Sequence, residues 1–446
     1  MENGISDLEI HLDSQTPDIQ KPLLCNIISP TSRSEEAEID PELGRLERLL
    51  LFLGLDQSTS PRAAFGCFLF LWLGVAVPAV TLWATACRNC GKYEVMKFEV
   101  IVQISGTGLA AVSMFCMAHN LRKYGLRKFL FVEFHHPHVR FRYDVKSQIR
   151  ASFRLLKWII LPCFLVKAMR EALRIVYVHE QYSWWENAVT LIAILISWLY
   201  LTTVFMSACV LFNLVCKLQI VRVEDYARLL EGASDVSVFL KEHMYLRYQL
   251  YKISHRFRIY ILVAFVVVTG SQFMTLFEAT FYSGKINFIN AGDFLVSSAV
   301  QLVGVALCLR AAAKTTHKSQ RIASIASQWH ALATCNSSDV SESKDEANEN
   351  GPVQDADPIY SLMVGDYESD LDSSEDLALD PESHFASNVA SYQKRQALVM
   401  YFQFNQAGIT IFGLVVDRAL FSTLFFVEQG LILWVLGKTI VANSSK

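Results

Sequence analysis

Lys167, Arg170, Glu171 and Arg174 interrupt a stretch that is otherwise apolar from Trp158 to Val178, at spacings that put all four on one face of a helix. A charge among hydrocarbon chains is costly, so such residues turn toward a watery cavity, a partner or the membrane surface. Two readings follow. Either the four line a ligand cavity, or they snorkel to the outer interface, with Glu171 neutralising Lys167 or Arg174.

Near the C-terminus, Glu428 and Gln429 lie deep in the apolar run Ala419 to Ile440, with Ser422 and Thr423 a little over a turn earlier. Rings of side chains around an axis are how helical pores select ions, whereas an interhelical hydrogen bond is the ordinary use of a polar pair. Helical spacing offers two pore faces. One carries Ser422, Phe426, Gln429, Leu433 and Leu436; the other carries Phe421, Phe425, Glu428, Ile432 and Val435.

The run His135-His136-Pro137-His138 invites a metal reading, and Cys87 and Cys90 form a lone CxxC that fits a local disulfide or two ordinary thiols. There is no HxxxH or HxxHH pairing, no HExxH and no P-loop, so the expectation is a non-enzyme with no catalytic residues, metal or cofactor. Nothing in the sequence points to a nucleic-acid partner.

The elements that must position these groups follow from composition. The chain has 446 residues, 52% of them hydrophobic and 29 of them Phe, and a soluble core cannot absorb that much apolar side chain. The apolar residues gather in runs, most of them uncharged, about as long as the ~20 residues that cross a bilayer. Such runs occur at Ala63 to Cys87, Val100 to Ala118, Trp158 to Val178, Ala188 to Cys216, Tyr260 to Phe277, Phe288 to Leu309 and Ala419 to Ile440. The expected fold class is an all-α membrane protein with seven spans, the first serving as its own insertion signal.

Orientation follows from Lys and Arg, which resist translocation. Loop 119–154 holds nine of them and loop 217–258 eight; loop 88–99 holds three, loop 179–187 none, and the next loop only Lys285. Arg310, Lys314, Lys318 and Arg321 follow the sixth span. The expectation is therefore a cytosolic N-terminus and an external C-terminus, inverted relative to receptors that couple to G proteins. The multi-pass protein would sit in the plasma membrane or an endomembrane.

On the basic side the chain continues to read as helix. Leu218, Val221 and Leu229 prolong the fourth span, and Phe239, Leu240, Met244, Leu250 and Ile253 lead into the fifth. Ile322, Ile325, Trp329 and Leu332 follow the sixth, and a helix over 389–412 leads toward the seventh. These four either form a cytosolic bundle or lie separately on the membrane. Ahead of the first span, Leu43, Leu46, Leu49, Leu50 and Leu53 form the apolar stripe of an interfacial helix.

Between Asn336 and Phe385 there are fifteen acidic residues against Lys344 alone, a composition that cannot bury enough surface to fold. Without that segment the remainder carries +11, as expected of a protein against an anionic leaflet. The expected organisation is a disordered tail over 1–40, an interfacial helix and six spans with their extensions over 41–335, a disordered acidic loop over 336–385, and a helix plus seventh span over 386–446.

The blocks WLYLTTVFMSACVLFNLVCKLQIVRVEDYARLLE and AGITIFGLVVDRALFSTLFFVEQGLILWVLGKT resemble the plant gustatory-receptor-like family, land-plant relatives of insect odorant and gustatory receptors. The resemblance runs from about residue 43 to 441, leaving out the acidic loop. It implies seven spans with a cytosolic N-terminus, and its insect relatives imply a homotetrameric, ligand-gated, nonselective cation channel. Cytosolic helices would form the anchor between subunits, the seventh helix would line the pore, and an outer cavity would take a small-molecule ligand. The insect hallmark in the last helix is Thr-Tyr, five apolar residues and Gln-Phe. Here Thr423 and Gln429 match its polar ends, Leu424 and Gly430 replace the aromatics, and the spacer is one shorter and carries Glu428. The alternative function is a non-conducting seven-span receptor or scaffold.

Overall fold

Hydrocarbon offers the backbone no partner, so a chain this apolar must satisfy its own amides, and a helix does so within one segment. The computed structural model describes residues 31–57, 59–85, 97–130, 139–178, 184–231, 236–281, 288–345, 381–420, 422–423, 426 and 430. They form α1 (Thr31–Phe52), α2 (Ser60–Leu69), a π-helical segment (Phe70–Ala76), α3 (Val77–Thr85), α4 (Lys97–Leu130), α5 (Val139–Val178), α6 (Trp184–Glu231), α7 (Val236–Phe281), α8 (Phe288–Asp345) and α9 (Pro381–Phe404). A short antiparallel hairpin, β1 (Thr410–Ile411) with β2 (Leu414–Val415), follows.

Five helical stretches are long and apolar enough to cross a membrane: Ser60–Trp83, Val100–Leu126, Trp184–Arg228, Val236–Met274 and Gly292–Cys335. The chain is an integral multi-pass membrane protein. The run from Trp158 to Val178 lies inside α5, but its four charges keep it out of that group. The run from Ala419 to Ile440 lies largely outside the described residues.

Pro78 shapes the first span. Its missing N–H would have served the Gly74 carbonyl in an α-ladder and the Leu73 carbonyl in a π-ladder, and the π turns end just before it, with the Val77 N–H donating to the Trp72 carbonyl. Hydroxyls from neighbouring helices serve both orphans: Thr107 of α4 donates to Gly74 O at 3.3 Å, and Ser197 of α6 donates to Leu73 O at 2.7 Å. We expect Thr107→Val to cost about 1 kcal/mol. Adding Pro78→Ala restores a backbone donor, so the double variant should recover much of that loss when unfolding is followed in detergent. Additive losses would contradict this account.

At the centre is α6, packed against α4, α5, α7 and α8 and buried nearly all round from Val204 to Cys216. With 48, 46 and 58 residues, α6, α7 and α8 run well past the ~30 Å hydrocarbon core at 1.5 Å per residue. Beyond it they pack together as a bundle, with Leu218, Tyr226, Phe239, Leu250, Ile322 and Leu398 in one shared apolar cluster. Phe239 meets Trp329 edge-on at 5.7 Å, the Tyr226 hydroxyl donates to the Phe239 carbonyl at 2.9 Å, and the His243 ring lies between Tyr401 and Phe402. Of the two arrangements left open by periodicity, the helices adopt the bundle.

Three boundaries differ from the sequence reading. The helix expected over 389–412 ends at Phe404, because the chain must turn through Phe412 and Gly413, both at positive φ, to make the hairpin. Helix also enters both ends of the acidic segment: α8 runs to Asp345 and α9 begins at Pro381, while 346–380 lies outside the described residues. Helix begins at Thr31 rather than after residue 40, and Leu43, Leu46, Leu50 and Leu53 are buried against the bundle, where α1 packs on α5.

Candidate functional site

Two faces of α5 do opposite work. Trp158, Leu161, Leu165, Met169 and Val176 are exposed, as suits a lipid-facing stripe, while Lys167, Arg170, Glu171 and Arg174 are buried at 4%, 0%, 1% and 6% exposure. Such burial excludes snorkelling. Glu171 is the hub: it pairs with Lys167 at 2.9 Å, Arg170 at 2.6 Å and Arg174 at 3.5 Å. Lys167 also reaches Asp293 of α8, a residue whose charge within an apolar run was the available signal, although the sequence reading gave it no role. Three cations thus share two carboxylates and tie α5 to α8.

One turn along α8 from Asp293, on the same face, comes Ser297, and another turn on is Gln301. These two open onto a narrow crevice between α4, α6 and α8. Val102, Leu109, Trp198, Leu201, Phe205 and Val300 supply apolar walls, and Gln103, Thr202, Ser297 and Gln301 supply the polar groups. Gln301 is held in place: its Nε2 donates to Ser105 Oγ at 3.2 Å, and its Oε1 accepts from Ser271 of α7 at 3.3 Å. An apolar hollow with a few fixed polar groups is how proteins hold small, mostly apolar ligands. The four charged residues chosen from sequence do not line it; they lock the helices beside it. The lining residues escaped the sequence reading because Gln, Ser and Thr within a span are ordinary helix-packing residues.

A second narrow crevice, lined by Leu46, Leu49, Leu50, Phe153 and Leu156 among others, has almost no polar surface to orient a ligand. Among the described residues no group of His, Cys, Asp and Glu could hold a metal ion. His135, His136, His138, Cys87 and Cys90 lie outside them, as do Phe421, Phe425, Glu428, Gln429, Ile432, Leu433, Val435 and Leu436. Of the candidate pore residues, Ser422 and Phe426 are described, and both are exposed on the single chain.

The segment entering that last run is pinned. Ser254 Oγ of α7 accepts the Thr410 amide at 3.1 Å, and Thr316 Oγ1 of α8 accepts the Ile409 amide at 3.0 Å. Gly408 lies against Thr316, where an added Cβ would come within 2.9 Å of its methyl group. Asp417 then caps the Ala419 amide, so the Asp417-Arg418 pair acts as a turn.

Long membrane helices, a shared bundle beyond the bilayer and a crevice between the spans define the class: a polytopic α-helical membrane protein with the fold of insect olfactory receptors. The chain belongs to the family described as a protein of unknown function, DUF3537, whose model matches residues 41–427. It is similar in structure to the insect olfactory receptor OR5 from Machilis hrabei, with a TM-score of 0.54 at 11% identity over 90% of this chain and 98% of that one. The same receptor in complex with eugenol gives a TM-score of 0.52 at 11% identity over 90% and 99% of the two chains. At that identity the likeness concerns fold. No curated protein matches the sequence.

Proposed function

We propose that the protein is a small-molecule receptor that opens a cation pore, with the crevice between α4, α6 and α8 as its ligand site. The observation that carries this reading is the crevice itself, apolar with four polar groups, in a fold shared with nearly the whole length of an olfactory receptor whose structure includes eugenol. The basic loops put the N-terminus in the cytosol, and α5 and the run ending at Ile440 complete seven spans. Four copies would assemble through the bundle and the seventh span, with Ser422, Phe426, Gln429, Leu433 and Leu436, or Phe425 and Glu428, facing the axis. Glu428 would draw cations to it. The departures at Leu424 and Gly430 favour a second reading, a receptor of this fold that does not conduct. No enzymatic step is proposed.

Gly106 provides the test. A Cβ there meets nothing within 4 Å, and the residue lines the crevice, so Gly106→Phe should project a ring into it, with the unliganded unfolding temperature reporting any cost to the fold. Small aromatic alcohols, with eugenol as the first probe, should raise the unfolding temperature of the reconstituted protein, as any ligand selective for the native state does. The variant should weaken that effect roughly tenfold or more, the cost of losing ~1.4 kcal/mol or more of contact. A panel without effect on the parent, or an effect that survives Gly106→Phe, would reject the site. Ligand-evoked currents in the same membranes separate the channel from the non-conducting receptor.

A further inference from the structure

We propose that Lys123, Tyr124, Lys252 and Arg256 form a binding site for the phosphorylated headgroup of an anionic lipid where α4 and α7 leave the hydrocarbon core on the basic side. The Arg256 guanidinium lies 3.7 Å over the Tyr124 ring; the Lys123 ammonium lies 5.4 Å and the Lys252 ammonium 6.0 Å from the same centroid. Lys252 is also 5.7 Å from the Tyr248 ring. Three cations therefore converge on one aromatic ring, which offsets only part of their mutual repulsion. Carboxylates occur elsewhere at this end, where Glu224 pairs with Lys318 and Asp225 with Arg228, yet none among the described residues pairs with these three. An anion is what the cluster lacks.

The backbone holds the cluster in place. Gly125, immediately after Tyr124, takes φ 71° and ψ 156°, a conformation that breaks the helix and that side chains other than glycine's rarely adopt. The chain beyond it folds back so that Phe129 and Leu130 are buried and Phe129 packs 5.8 Å from Phe257, next to Arg256. Tyr124 is thereby fastened to α7.

Depth decides which anion. Tyr124 lies six residues beyond Ala118, where the second apolar run ends, or ~9 Å at 1.5 Å per residue; Arg256 and Lys252 precede Tyr260 by four and eight residues, ~6 and ~12 Å. The polar layer on each side of a ~30 Å hydrocarbon core is roughly 5 to 8 Å thick. The cluster thus stands at and just beyond headgroup level, facing phosphate. A phosphomonoester carries more charge than a phosphodiester and suits three cations, so inositol-phosphate lipids should be preferred over phosphatidylserine and phosphatidylcholine. A free inositol phosphate has the same chemistry without the bilayer.

The test is retention of lipid by the full chain in nanodiscs of phosphatidylcholine doped in both leaflets with phosphatidylinositol bisphosphate or phosphatidylserine, read by native mass spectrometry. Doping both leaflets makes the result independent of orientation, and no channel activity is needed. The parent should retain the bisphosphate lipid selectively, and Lys123→Gln/Lys252→Gln/Arg256→Gln should reduce retention by roughly a hundredfold, since each basic residue near an anionic surface contributes about fivefold. Arg45→Gln, at an exposed position in α1, should leave it unchanged. Should the triple variant fail to fold, Lys252→Gln alone should still reduce retention about fivefold. Equal retention by the parent and a folded variant would overturn the proposal. Binding of soluble inositol phosphate as tightly as the lipid would overturn the lipid assignment, and much weaker binding supports it.

Discussion

Replacing Glu171 by Gln is expected to remove most of the folded protein from a detergent extract. In the parent, Glu171 and Asp293 balance Lys167, Arg170 and Arg174 where water does not reach, and Glu171 alone contacts all three cations. Without its charge, Lys167, Arg170 and Arg174 lose the one carboxylate that all three contact. Removing one partner from a buried ion pair typically costs about 3–5 kcal/mol, because the other charge stays buried and uncompensated. That is a large part of a typical folding free energy. Arg170→Gln combined with Glu171→Gln removes opposite charges 2.6 Å apart, so the pair should be less damaging than the two single losses added together. Unfolding temperature and the monodisperse fraction on size exclusion measure both effects. A Glu171→Gln protein as stable as the parent would show that the cluster contributes little to holding α5 against α8.

The second large effect is expected at the joint between α1 and α2. Gly54 has φ +73°, and a Cβ built on it would come within 2.6 Å of Gly66 Cα; a Cβ on Gly66 would come within 2.5 Å of the Gly54 carbonyl oxygen. Both obstacles are backbone, so no rotamer change relieves them. Gly66→Ala should cost about 2–4 kcal/mol by forcing the segments apart, and should loosen the contact in which the Tyr200 hydroxyl donates to the Leu53 carbonyl at 3.3 Å. Gly44→Ala, at a helical position where an added Cβ meets nothing within 4 Å, should be neutral or stabilise by up to about 1 kcal/mol. Thermal unfolding of the two variants side by side decides the matter, and an equally mild effect at Gly66 would refute the close approach.

Hydropathy located α4, α6, α7 and α8 because a run of some twenty apolar residues without charge has few other uses. It could not place their partners, since every face of such a helix reads as apolar. The partial exception was α5, where the cost of Lys167 through Arg174 pointed to a cavity, a partner or the membrane surface without choosing among them. The crevice was invisible for the converse reason: Ser297 and Gln301 are inexpensive in a membrane and leave no signature until α4 and α6 are seen across from them. The hairpin after α9 was missed because Leu398, Tyr401 and Phe402 continue the helical period up to its edge. The break lies in Phe412 and Gly413, whose backbone conformations the apolar pattern does not encode.

Ser297 and Thr316 belong to the same unbroken helix, nineteen residues apart, with the crevice at one and the Ile409 amide at the other. At 1.5 Å per residue they are separated by ~28 Å, about the thickness of the hydrocarbon core. A rod of that length turns a rotation of a few degrees at its crevice end into a sideways shift of one to two ångströms, roughly, at the far end. Because Thr316 Oγ1 holds the Ile409 amide just ahead of the last segment, such a shift would draw on the chain as a bell-crank draws on a wire. On the proposed receptor reading, Thr316→Val would leave ligand uptake intact and uncouple it from the far end.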